Sequence, residues 1–272
     1  MCKLRVERSF GFLLAFFLAP CSRFSNSVQM SSSTATEVSA TLHVPELIKL
    51  SPARLESMLA AGEEALECER VLKKAGLNIV GEILRGQGQF YEYTHYPHDD
   101  VCDRESHAQY YYHAHRGIPG EHGHFHTFVR RTGMPEGVTP VPHAEAPAGD
   151  EAIAHLIAIS MDAYGWPIGL FATNRWVVGE TWYPAEDVIQ MIDRFTIDHA
   201  YPSWPVNRWI SAVLRLFRPQ IETLVRERDR VVADWGKRYV DVDVLEDRRL
   251  DVTGYRLISV EGQLQQLRAA LA

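Results

Sequence analysis

The sequence predicts an α+β fold, an antiparallel sheet built from hairpins and flanked by amphipathic helices. Three observations predict it. Residues 110–130 and 155–179 each read as two alternating arms around a turn, the pattern of β-hairpins. Residues 51–76 and 184–225 repeat their apolar positions at helical spacing. The two helical regions flank the strands instead of alternating with them, which argues against a parallel βαβ sheet.

Taken in chain order, residues 1–49 read as a poorly ordered extension ahead of a single α+β domain over 50–272. Basic residues precede the apolar run Phe10–Ala19, so residues 1–21 have the make-up of a signal peptide. That run is far too short to cross a bilayer, and no stable membrane span is expected. Met30 offers a competing start, and the polar leader after it favours a cytoplasmic protein over a periplasmic or secreted one. In the secreted case Cys68 and Cys102 would remain as a pair able to bridge.

Ser51 is a natural helix cap, Pro52 suits a first turn, and Gly76 is a stop. Leu55, Met58, Leu59, Leu66 and Leu72 form the apolar stripe between them. "GQFYEYTHYP" turns aromatic and strand-like, and "HDDVCDRES" reads as an acidic connector to the first hairpin. Residues 134–150 read as a long Pro/Gly-rich loop. In the second hairpin, a turn at Tyr164-Gly165 puts Ile157, Ile159, Met161, Ile168, Leu170 and Ala172 on one core face. Pro184 opens a helix with Val188, Ile192, Phe195 and His199 in phase. A second amphipathic helix runs from Val206 to Phe217, and Pro219 kinks it or starts another. A strand and a short helix close the chain.

Composition narrows the function. A net charge of −7 without a basic stripe argues against nucleic acid as partner. Four scattered cysteines, Cys2, Cys21, Cys68 and Cys102, give neither a CxxC knuckle nor a disulfide framework. HExxH, GxSxG and P-loop motifs are absent, "GQGQF" lacks a dinucleotide-binding context, and "HAH" with Glu121 misses cupin spacing.

What stands out is "YYYHAHRGIPGEHGHFHTFVR", which holds five of the twelve histidines. Strand side chains alternate, so His122, His124 and His126 share a face, as do His113 and His115. Pairing His115 with His122, His113 with His124 and Tyr111 with His126 puts all five imidazoles on one side. Tyr110, Tyr112, Ala114, Phe125 and Val129 fall on the other, which reads as core. Cross-strand imidazoles lie close enough to share an ion. The expected cofactor is a divalent transition metal, zinc or iron foremost, with His113, His122 and His124 the first choice of ligands. Glu92, Asp99, Asp100, Asp103 and Glu121 are nearby carboxylates able to orient or complete the set.

The expected function is that of a metal-binding protein, favouring a metalloenzyme with hydrolytic or oxidative chemistry on a small-molecule substrate. "HGHFHTF" also resembles the histidine-triad motif, which would make His124 a nucleophile in metal-free nucleotidyl transfer or hydrolysis. Gly123 and Thr127 depart from the apolar residues that motif carries. A non-catalytic metal buffer or sensor is the third reading. Isolated His43, His98 and His143 read as ordinary polar residues, His199 as core, and His155 as paired with Asn174 or capping its strand.

The segments "SHAQYYYHAHR", "EHGHFHTF", "HLIAISMDAYG", "TNRWVVGETWYPA" and "DHAYPSWPVNRW" together resemble a bacterial family classed as a domain of unknown function, number 6969. That resemblance implies one unit from about residue 50 onward and implies no activity, cofactor or site.

Overall fold

A computed structural model of the chain describes residues 47–272. The signal-peptide segment 1–21, the start at Met30, and His43 lie outside the described residues.

Helix α1 spans Pro52–Lys74, with the Ser51 hydroxyl accepting from the Arg54 N–H as its cap. Leu55, Met58 and Leu72 are buried, and Leu59 and Leu66 pack against the same core. A short helix α2, Ile79–Leu84, follows, capped by the Asn78 side chain. The aromatic stretch after Gly88 forms no strand until Tyr96. Strand β1 is Tyr96–Cys102 and takes in "HDDVC", which the sequence had suggested was a connector. The reason lies in the pairing. Tyr96 faces Tyr112 and Val101 faces Tyr110, so residues 97–100 bulge out opposite Tyr111 alone.

The other strands are β2 (Ala108–His113), β3 (Gly123–Arg130), β4 (Ile153–Met161), β5 (Pro167–Thr173) and β6 (Val252–Leu257). All six form one antiparallel sheet in chain order. The β4–β5 hairpin has the predicted register, with Ile159 opposite Leu170 and Ala158 opposite Phe171. A bulge then puts Met161 opposite Pro167, and Ile168 drops out of the core face that Ile157, Ile159, Met161, Leu170 and Ala172 form.

Helices α3 (Arg175–Val178), α4 (Ala185–Ile192), α5 (Trp204–Leu216), α6 (Arg218–Arg238) and α7 (Val260–Leu271) complete the described chain. Pro219 lies in the first turn of α6, so it starts a helix instead of kinking one. Helix α4 stops at Ile192, short of the predicted extent. The Arg218 guanidinium donates to the Ile189 carbonyl at 2.6 Å and grips the Asp193 carboxylate, closing the last turn from outside. Phe195 remains core, but His199 lies beyond the helix. Cys68 is a buried free thiol, so the bridge to Cys102 considered for a secreted chain is not formed.

Helix α5 packs on one face of the sheet. The Phe125 and Trp209 rings lie 6.1 Å apart, and the Tyr110 hydroxyl donates to Asn207 Oδ1 at 2.6 Å. Helix α1 packs in turn on α5 and α7. The opposite face of the sheet is also sealed. Every residue of β2 and β4, and all of β3 up to Val129, is buried. Tyr111, Phe128, Ile153 and Val178 form a small apolar cluster on that second face, beside the histidines.

Gly123 shows how tightly the hairpin closes. A Cβ there would lie 2.6 Å from the His113 carbonyl oxygen and from the Tyr112 hydroxyl. Gly123→Ala is expected to force β2 and β3 apart and destabilise the protein by about 1–3 kcal/mol. Chemical denaturation checks this, and an unchanged midpoint would contradict the close approach.

Candidate metal centre

The strand register converts the sequence pattern into a cluster. His113 stands opposite His124, and Tyr111 opposite His126, as alternation requires. His113, His115 and His124 bring one ring nitrogen each to within 4.8 Å of one another. The centroids of His113 and His124 are 4.5 Å apart, and His115 lies 4.7 Å and 5.1 Å from them. On the other side His126 lies 5.1 Å from His113 and 5.0 Å from His124. The four rings therefore make two triangles sharing the His113–His124 edge.

His122 is not part of this group. The ladder ends at His113–His124, so the expected His115–His122 pair does not form. His122 precedes β3 and escapes its alternation. Its Nδ1 meets the Tyr112 hydroxyl at 2.7 Å, and its ring lies against Phe90, toward the core side.

Two histidines enter the face that sequence alternation had not put there. His155 shares parity with core residues Ile157 and Ile159. A bulge in β4 at Leu156 reverses this, since Thr127 faces Ile157 while Phe128 faces His155. His155 Nε2 thereby reaches His126 Nδ1 at 2.9 Å and does not pair with Asn174. His95 stacks on Tyr111 with centroids 3.6 Å apart, 5.6 Å from His113. Its Nδ1 meets Asp100 Oδ1 at 3.0 Å, and Gln109 Nε2 donates to Asp100 Oδ2 at 2.8 Å. Asp100 sits at φ 53° and Tyr93, stacked on His115, at φ 64°. Left-handed backbone costs a non-glycine residue about 1–3 kcal/mol and persists where surrounding contacts enforce it. Both strained residues flank the cluster. His143 binds Asp243 far along the chain, and the remaining predicted carboxylates Glu92, Asp99 and Asp103 supply no member of the group.

Hydrogen bonds fix which nitrogens are free. Glu121 Oε1 accepts from His124 Nδ1 at 2.8 Å, and its other oxygen takes the Ser160 hydroxyl at 2.7 Å and Arg116 Nη1 at 3.2 Å. A carboxylate can only accept from His124 Nδ1, so Nε2 keeps its lone pair. A second chain of contacts runs from His126 Nδ1 to His155 Nε2 at 2.9 Å and from His155 Nδ1 to Thr173 Oγ1 at 3.5 Å. The Nε2 atoms of His113, His124 and His126 are all buried and have no hydrogen-bond partner.

Burial, reinforced by the neighbouring imidazoles, holds His113, His124 and His126 well below the usual histidine range. Burial and then Arg116 lower His115, while burial and then Arg228 push His155 down to about 3. Burial raises the Glu121 carboxyl, against the pull of Arg116. The imidazoles are thus neutral donors near pH 7. Bonds to zinc of about 2.0–2.1 Å need nitrogens roughly 3–3.5 Å apart, which side-chain rotation reaches from the observed spacing.

An antiparallel sheet with a buried imidazole face, backed by helices, defines the class of α+β protein the chain forms. The model of a domain of unknown function, DUF6969, matches residues 59–258, and the chain belongs to that family. No curated protein and no solved structure matches it. No helix among the described residues is long and apolar enough to cross a membrane.

If Glu121 orients a metal-binding His124, Glu121→Gln is expected to weaken metal affinity about 10–100-fold while the fold persists. Equilibrium metal titration with a competing chromophoric chelator checks this, and an unaltered affinity would remove Glu121 from the centre.

Proposed function

We propose that this protein holds a divalent transition metal, zinc or ferrous iron, on His113, His115 and His124, and that it is a metal-dependent enzyme acting on a small molecule. One observation carries the reading: the Nε2 atoms of two of these ligands, His113 and His124, and of the adjoining His126 are buried without any partner. An unmet buried polar atom costs about 1–3 kcal/mol. A fold that accepts this three times in one patch has a use for the lone pairs. Three imidazoles with an open position suit a catalytic ion, and the absence of thiolate from the set fits zinc or iron better than a copper carrier.

A metal so held supplies Lewis acidity or redox chemistry, hence hydrolysis or oxidation. Around it, Glu121 keeps His124 in the tautomer with a free Nε2, and His155 holds the His126 ring in place through its Nδ1. His95, half-buried and backed by Asp100, stands beside His113 where a proton acceptor would serve. Metal-free phosphoryl chemistry at His124 fits less well. That side chain is 0% exposed and ringed by His113, His115, His126 and Phe171, leaving a phosphate no approach.

Elemental analysis of protein purified without a histidine tag tests the proposal. About one equivalent of zinc or iron, removed by chelator and restored on reconstitution, is the expected result. No uptake of either ion would overturn it. Uptake without turnover across a panel of hydrolytic and oxidative substrates would favour a buffer or sensor.

A further inference from the structure

Exposure across the imidazole face has a direction. His124 and His126 are 0% exposed, His113 8%, and His115 is half-buried. A ligand reaching the centre therefore enters from the His115 end. Arg116 follows His115 there. Its guanidinium lies 3.9 Å over the Phe171 ring, the same ring that meets His124 edge-on at 5.1 Å. The Arg116 side chain is 12% exposed, so it is largely desolvated without being sealed in.

The bonding of Arg116 is one-sided. Its hydrogen bonds, to Glu121 at 3.2 Å and Ser160 at 3.5 Å, both use Nη1. Nε and Nη2 remain for a further acceptor, and a planar pair of N–H groups matches a carboxylate. Charge points the same way. The imidazoles are neutral, and Glu121 is already shared by Arg116, Ser160 and His124. A divalent ion would therefore bring two positive charges that no carboxylate of its own ligand set offsets. Asp251 and Glu92 act on His115 from exposed positions, where solvent and salt screen them.

We infer that the centre takes a small carboxylate-bearing molecule, with Arg116 binding the carboxylate beside the His113–His115–His124 face. This rests on the metal reading above. It adds a substrate class and a specificity residue, since a neutral analogue would leave the guanidinium and the ion without a counter-charge.

The test uses cobalt(II)-loaded full-length protein, whose visible absorption bands report ligands at the ion. Pyruvate and its neutral amide, pyruvamide, are the probes. Pyruvate is expected to shift the bands saturably and pyruvamide to leave them unchanged. At saturating cobalt, Arg116→Gln should weaken pyruvate binding about 10–100-fold, the worth of a charge-assisted hydrogen bond. Arg116→Lys keeps the charge without the fork and should fall between. Cobalt affinity and circular dichroism are measured first for each variant. Failure of the parent to take up metal would overturn both readings. Metal uptake with equal binding of the two probes, or with pyruvate affinity indifferent to both substitutions, would overturn the carboxylate inference alone.

Discussion

His124→Gln is expected to lose metal affinity by at least about a thousand-fold, while His122→Ala keeps it. The contrast follows from geometry. His124 belongs to both triangles of rings, so its removal leaves neither His113–His115 nor His113–His126 with a third donor. His122 points away, against Tyr112 and Phe90. Glutamine is chosen because alanine would leave a cavity at a fully buried position, at a cost of some 2–5 kcal/mol by analogy with other large side chains. The measurement is metal-dependent thermal stabilisation. A ligand at a thousand times its Kd stabilises by about 4 kcal/mol. For a domain of this size that is roughly 8–16 °C in Tm. The parent and His122→Ala should show the rise, and His124→Gln should show none. An equal rise in all three would place the ion elsewhere. His126→Gln then separates the triangles: a retained rise assigns the ion to the His115 side.

Much of this was legible in the sequence, and what was not has identifiable causes. Alternation alone gave the register of both hairpins and the separation of Tyr110, Tyr112 and Phe125 from His113, His124 and His126. Helix stripes at α1 and α5 were equally plain, because periodicity over three or more turns outweighs local noise. The misses sit where a strand departs from strict alternation. His122 lies one residue before its strand begins. His155 changes face through a bulge at Leu156, which no residue in "HLIAISM" announces. His95 arrives through the wide bulge of residues 97–100, and its partner Asp100 was recognisable only as one carboxylate among several. Glu121, the partner of His124, was likewise only one of the five carboxylates near the hairpin.

The second large effect is acid sensitivity of the metal-free protein. His113, His115, His124, His126 and His155 all titrate lower when folded than the ordinary value of 6.5. Below pH 6.5 the unfolded chain therefore binds protons that the folded chain refuses, and stability falls with pH. Three carboxyls oppose this. Glu69 and Glu180, raised by burial to about 7, and Glu121, also raised by burial, take up protons in the folded state first. His115 and Glu121, both partly exposed, oppose each other. The four buried histidines against Glu69 and Glu180 leave about two protons near pH 5.5, or roughly 3 kcal/mol lost per pH unit there. Against a typical stability of about 5–15 kcal/mol, the chelated protein should unfold between about pH 6.5 and 4.5 at ambient temperature. Denaturant melts at pH 7.5, 6.5 and 5.5 give the slope directly. His155→Gln, which keeps an acceptor for His126 but cannot titrate, should reduce the slope by about 1.4 kcal/mol per unit. Excess metal should raise stability by a similar amount at all three pH values, because the folded imidazoles already carry free lone pairs and need shed no proton to bind. A flat profile from pH 7.5 to 5.5 would mean that the imidazole face is hydrated and its histidines titrate freely. That outcome would remove the unmet lone pairs on which the metal reading rests.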